Sequence, residues 1–169
     1  MPLIVSKLCA TFFKLENINL SRAAYPKINV NTLEKFPVPK LNDETSTRLI
    51  SFTDIMQSLH SELNDLTEQF SNLLLSKFDI EKLSRKLQSW HELTFKQFLA
   101  ELKKKKVTLS LKEEAEWMGY FNEQKAKSDE LKTQIAQTDA GIDAMVYELY
   151  GLSEEEINIV EGINSQLTN

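Results

Sequence analysis

Two short stretches hold the side chains best suited to chemistry. The first is Tyr25–Leu41, "YPKINVNTLEKFPVPKL", which with the preceding Arg22 gathers Arg22, Tyr25, Lys27, Asn29 and Asn31. Cations, an aromatic ring and amides are the groups that grip phosphates and read base edges. They are also ordinary loop composition, and both readings stand at this point. The second stretch is the run Lys103, Lys104, Lys105, Lys106. As a solvated helix end these lysines suit the negative C-terminal dipole; against a phosphate backbone they supply affinity without sequence preference. The helix end is the simpler reading.

Elsewhere the search for chemistry is negative. His60 and His91 are the only histidines, and neither has a cysteine or carboxylate at ligand spacing. Glu154–Glu156 reads as helix-start acids favoured by the macrodipole rather than as a metal site. Cys9 is the single cysteine, so no intrachain disulfide forms, and it reads as a small buried apolar residue. The four glycines, at 119, 141, 151 and 162, build no phosphate loop, dinucleotide fingerprint or nucleophile elbow. Acids are dispersed along helical patterns, so no general acid/base pair and no catalytic residue is nominated.

What must position these residues is largely helix. Gly and Pro number four each in 169 residues, and 41% of the chain is apolar, which favours long helices with a real core. Residues 1–41 carry six Lys/Arg against Glu16 and Glu34, a balance of +4; the net charge of −5 therefore leaves −9 for the rest. A basic head on an acidic body is what a chain needs if only its head meets phosphate. No apolar run reaches the roughly 18 residues that span a bilayer. "MPLIVSKLCATFF" has no basic leader and is interrupted by Lys7, so it reads as an amphipathic helix rather than a signal peptide, and a cytoplasmic protein is expected.

Along the chain, residues 3–14 read as helix and 15–26 as loop. "KINV" alternates like a short strand, "NTLEKF" reads as a helical turn begun by Asn31, and Pro37 and Pro39 force an extended path. From Asn42 the period changes. Phe52, Leu59, Leu66 and Leu73, with Met56, Leu63 and Phe70 interleaved, make an apolar seam on a helix over 43–76. A second seam starts at the capping box Ser110–Glu113. It runs Trp117, Phe121, Gln124, Ser128, Leu131, Ile135, Thr138, Ile142, Met145, Leu149. Between them "DIEKLSRKLQSW" is expected to be a helix burying Ile80, Leu83, Leu87 and Trp90. "TFKQFLAELKKKK" follows from a Thr94/Gln97 capping box. Gly151 suits the left-handed end of the second long helix, and Ser153 with Glu156 starts a last helix to about Gln166. The fold class is mainly α: a long antiparallel, coiled-coil-like helical hairpin with short capping helices and a small N-terminal remnant of an α/β domain. The division is 1–41 and 42–169.

Two stretches then carry a resemblance. "IDAMVYELYGLSEEEI" resembles the closing segment of bacterial type IIG restriction-modification proteins and related adenine-specific DNA methyltransferases, matching at Ile142, Asp143, Val146, Tyr147, Leu149, Tyr150, Gly151 and Leu152. The opening stretch is similar to the end of the target-recognition domain in that family. Val5, Ser6, Lys7 and Leu8 stand where an Asn-Ser-Lys-Leu core is usual, and Pro37, Val38 and Pro39 match its Pro-x-Pro exit. That exit also occurs in type I specificity subunits. The resemblance implies a C-terminal piece of a multidomain enzyme that binds double-stranded DNA and methylates adenine at N6. S-adenosylmethionine and Mg2+ would be served by upstream methyltransferase and nuclease domains, whose motifs are absent here; this chain itself would hold no cofactor. Arg22, Tyr25, Lys27, Asn29 and Asn31 would make the DNA contacts. The seams also fit a homodimer, or a free-standing coiled-coil adaptor with no DNA role.

Overall fold

The computed structural model describes residues 6–16 and 34–162. Among them the chain is mainly helical and contains no strand. Its elements are α1 (Lys7–Glu16), α2 (Asp43–Phe78), α3 (Arg85–Gln88), a 3-10 turn (Trp90–Glu92), α4 (Phe95–Lys104), α5 (Leu111–Tyr150) and α6 (Glu154–Val160). Two compact units emerge, Met1–Met56 with Gln137–Asn169, and Gln57–Ala136. The long helices α2 and α5 each contribute to both units.

In the first unit, α1 begins at Lys7 because Ser6 caps it: the Ser6 Oγ accepts from the Cys9 N–H at 3.3 Å. The helix continues through Glu16, two residues into the stretch expected to be loop. The expected "KINV" strand and the start of the Asn31 turn lie outside the described residues. Residues 37–42 have no regular structure, as Pro37 and Pro39 demand. The Asn42 side chain then caps α2 by accepting from the Thr45 N–H at 2.7 Å. Ile142 and Val146 are buried with Leu8, Phe52, Met56 and Leu149 packed on them. Cys9, Phe13 and Phe36 form a second nucleus with Phe12 and Tyr150. Cys9 is fully buried, as its composition implied, and burial pushes its thiol pKa up.

The second unit is built around aromatic rings. Phe70 stacks on Trp90 at 3.9 Å between centroids and meets Phe98 and Phe121 edge-on. Leu74, Leu87 and Leu102 complete its buried centre. The stretch expected to be one helix from Asp79 to Trp90 is not one. Asp79 takes φ +50° and the Ile80 N–H bonds back to the Leu75 carbonyl at 3.2 Å, closing α2 with a left-handed cap. Ser84 then opens only the four-residue α3, accepting from the Leu87 N–H at 3.2 Å. Ile80, Leu83, Leu87 and Trp90 are nonetheless all buried, as their spacing predicted. The Thr94/Gln97 box on α4, the Ser110/Glu113 box before α5 and the Ser153/Glu156 box on α6 all form.

Every seam position predicted on α5, from Trp117 to Leu149, is buried or half-buried. On α2 the seven-residue spacing fails at its end: Leu73 is exposed while Leu74 is fully buried. A straight helix precesses by about 20° per heptad, so after Leu66 the buried face follows steps of four through Phe70 to Leu74. Helix α6 stops at Val160 instead of reaching Gln166. The Gly162 N–H turns back to the Ile159 carbonyl at 3.1 Å, with Gly162 at φ +72°. Among the described residues no helix is long and apolar enough to cross a membrane.

Candidate functional site

The polar centre of the first unit is assembled around the start of α1. The first four N–H groups of a helix lack intrahelical partners. At Lys7 that need is met from far along the chain: its backbone N–H donates to Asp143 Oδ1 at 2.8 Å, and Asp143 is only 2% exposed. The Lys7 ammonium lies 3.4 Å from Asp143 Oδ2 and donates to Glu161 at 2.8 Å. The Tyr147 hydroxyl donates to the same Glu161 at 2.8 Å. One carboxylate thus anchors α1 to α5, and a second joins both to the residue that follows α6.

Each partner holds the others in one charge state. The hydrogen bond to Glu161 raises the pKa of Lys7. The hydrogen bonds from Lys7 and then Tyr147 lower that of Glu161. Burial, followed by the bond to Glu161, pushes the Tyr147 hydroxyl well above the ordinary phenol range. These three groups are driven away from neutrality, whereas a general acid or base works near it. The cluster clasps; it is not poised to move protons.

Beside it, the Tyr150 hydroxyl donates to the Pro37 carbonyl at 2.6 Å, and its ring tilts against Phe36. Gly151 then closes α5 at φ +64°, with its own N–H on the Glu148 carbonyl and the Leu152 N–H on the Tyr147 carbonyl. Gly141 lets α5 approach Phe52 closely, since a Cβ there would sit 3.1 Å from the ring. The residues that the first unit brings together include several that carried the resemblance: Lys7 and Leu8, then Pro37, then Ile142, Asp143, Val146, Tyr147 and Tyr150.

Arg22, Tyr25, Lys27, Asn29 and Asn31, the predicted DNA contacts, lie outside the described residues. Lys103 and Lys104 form the last turn of α4, where cations suit the helix dipole, and Lys106 at φ +62° ends it in the left-handed region. What the sequence reading missed here is Glu101. It is 6% exposed, accepts from Lys104 Nζ at 2.7 Å and from Ser84 Oγ at 3.1 Å, and the bond from Lys104 lowers its pKa. Its spacing of three residues before Lys104 was the available signal. His60 is exposed, while His91 is half-buried and its backbone carbonyl accepts from Lys125 Nζ at 2.6 Å. Among the described residues no group of three or more His, Cys, Asp or Glu is placed to hold a metal ion.

A mainly helical protein whose first unit is held by a structural clasp is what this geometry defines. By sequence it belongs to the family described as Domain of unknown function (DUF8810), whose model matches residues 42–146. No curated protein and no solved structure matches it.

Proposed function

We propose that the chain is the closing part of a DNA target-recognition domain together with its helical scaffold, within a restriction-modification enzyme that methylates adenine at N6. The observation that carries this reading is the meeting of three separate stretches, Ser6–Leu8, the Pro37 exit and the Ile142–Gly151 run, in one packed centre. They are the stretches whose residues resemble type IIG restriction-modification proteins, and residues over a hundred apart in sequence depend on one another there. Arg22, Tyr25, Lys27, Asn29 and Asn31 make the DNA contacts, and the helices hold their segment in place. The finer architecture is an antiparallel helical hairpin. In its support, within the second unit Phe78 on α2 meets Trp117 on α5 while the earlier Phe70 meets the later Phe121. Methylation with S-adenosylmethionine, and Mg2+-dependent cleavage, belong to domains for which this chain carries no motif.

The test is titration of the chain with duplex DNA by fluorescence anisotropy at low salt. Binding that weakens steeply with salt and drops in Arg22→Ala/Lys27→Ala supports the proposal; undetectable binding at low salt refutes it. A second reading, a coiled-coil adaptor or homodimer, is favoured by an apolar groove of about 290 Å³ in the second unit lined by Leu73, Lys77, Glu116, Trp117 and Tyr120. Sedimentation decides it: a stable oligomer without DNA affinity selects the adaptor.

A further inference from the structure

The second unit carries its own concentration of positive charge. Residues 79–106 hold eight Lys/Arg against four acids, a balance of +4 in a chain of net −5. The long helices on either side in sequence are acidic: α2 has two cations against six acids and α5 four against nine. A polyanion approaching the chain is therefore repelled by both long helices and attracted between them in sequence.

The fold gathers this charge instead of scattering it. Ser84, the cap of α3, and Lys104, at the end of α4, are both bound by the Glu101 carboxylate. Lys86 is close enough to Glu101 to act on it electrostatically. The start of α3 and the end of α4 are thus tied at one buried acid with Lys86 and Lys104 near it, and Arg85 and Lys103, their chain neighbours, are exposed. Glu101 neutralises only one of these cations. Lys103 and Lys104 sit in the last turn of α4, where cations suit the helix dipole. The sequence showed four consecutive lysines; the structure brings Lys86, from a different helix, near the acid that Lys104 binds.

We propose that Arg85, Lys86, Lys103 and Lys104 form a phosphate-contact surface for duplex DNA, distinct from the predicted contacts around Arg22 and Lys27. It rests on the DNA-binding reading above and supplies that reading with a sequence-independent anchor. Phosphate contacts position a protein on the duplex while base contacts specify the site. Exposed cations are suited to the first task.

The full chain is titrated with a labelled duplex across a salt series. Arg85→Gln/Lys86→Gln/Lys103→Gln leaves the Lys104–Glu101 bond intact and changes only exposed residues. A control of equal charge, Arg48→Gln/Lys112→Gln/Lys127→Gln, sits on the long helices. The inference expects the first triple to lose at least about tenfold in affinity at low salt and to reduce the slope of log K against log salt by about 2 to 3, with the control changing little. Equal loss in the control overturns it, because bulk charge then suffices. Loss in Arg22→Ala/Lys27→Ala with none in the first triple overturns it while leaving the recognition reading intact. The converse pattern supports this surface and rejects the assigned head contacts. Absence of duplex binding, or preference for phosphatidylserine vesicles over duplex, overturns the surface as a DNA contact.

Discussion

Removing the Asp143 carboxylate should release α1. In Asp143→Ala the Lys7 N–H loses its acceptor at 2.8 Å in a place where Asp143 is 2% exposed and water cannot readily replace it. Loss of a cap costs about 0.5–2 kcal/mol, and loss of a hydrogen bond to a charged group about 1.5–3 kcal/mol. These are two descriptions of one contact and are not summed, so about 2–3 kcal/mol is expected. Lys7→Met is the informative companion. It keeps the backbone N–H and the stem but removes an ammonium whose side chain is 47% exposed and lies 3.4 Å from Asp143. That ammonium is bonded chiefly to Glu161 at 2.8 Å; being half-exposed and screened it contributes about 1 kcal/mol, and the helix N-terminus still supplies positive potential to Asp143. Hydrogen exchange of the α1 amides reads both. Asp143→Ala should speed their exchange about 30- to 150-fold, Lys7→Met about fivefold, and Asp143→Asn, which retains an acceptor of the same shape, should fall between. A Lys7→Met effect equal to or larger than that of Asp143→Ala would show that the ion pair, not the cap, holds α1, and the account of the clasp would be wrong.

Two further outcomes follow from local geometry. Lys106 occupies the left-handed region at φ +62°, so Lys106→Gly should raise the stability of the second unit by about 0.5–1 kcal/mol in urea denaturation; a loss would mean that its side chain contributes more than its backbone strain costs. Burial, then Lys132, lowers the pKa of His91 below 6.5. The unfolded chain therefore binds the proton more readily, and the stability of this unit should be full above about pH 6.5 and decline as pH falls toward the folded value. Trp90, in edge contact with His91 at 5.8 Å, reports unfolding by fluorescence, and His91→Gln should flatten the dependence.

Much of the fold was legible because it depends on local chemistry. Capping boxes need only two side chains three residues apart, and all three form. Every position of the predicted α5 seam is buried or half-buried, including polar Gln124 and Ser128, because a helix repeats its environment with its period, though buried Asp143, Val146 and Tyr147 lay outside it. What failed was hidden in backbone conformation. Gly151 announced its left-handed cap by being glycine, whereas Asp79 and Lys106 adopt the same conformation and carry no such mark. Missing the cap at Asp79 turned a helix end, a turn and a short α3 into one imagined helix. The clasp was harder still. Lys7, Asp143 and Glu161 stand up to 154 residues apart, and no periodicity connects them. Of the motif residues, Ile142, Leu149 and Gly151 had a physical reason in the sequence, while Asp143, Tyr147 and Tyr150 were noticed only through the resemblance.

In the Ile142–Gly151 run, Ile142 and Val146 fill the core against Leu8, Asp143 caps α1, Tyr147 and Tyr150 donate to Glu161 and to Pro37, and Gly151 ends the helix. Each named residue is explained by joining α5 to the segments around α1 and the proline exit, and none is left over for chemistry on a substrate. A similar run in another protein then argues for the same junction, a helix end clasped to the segment that precedes a scaffold. It does not by itself argue for the same DNA site or for catalysis. Arg22→Ala/Lys27→Ala, which leaves the residues of the clasp intact, should therefore lower duplex affinity while the α1 amides keep their exchange protection; lost protection would tie the basic segment to the clasp instead of to DNA.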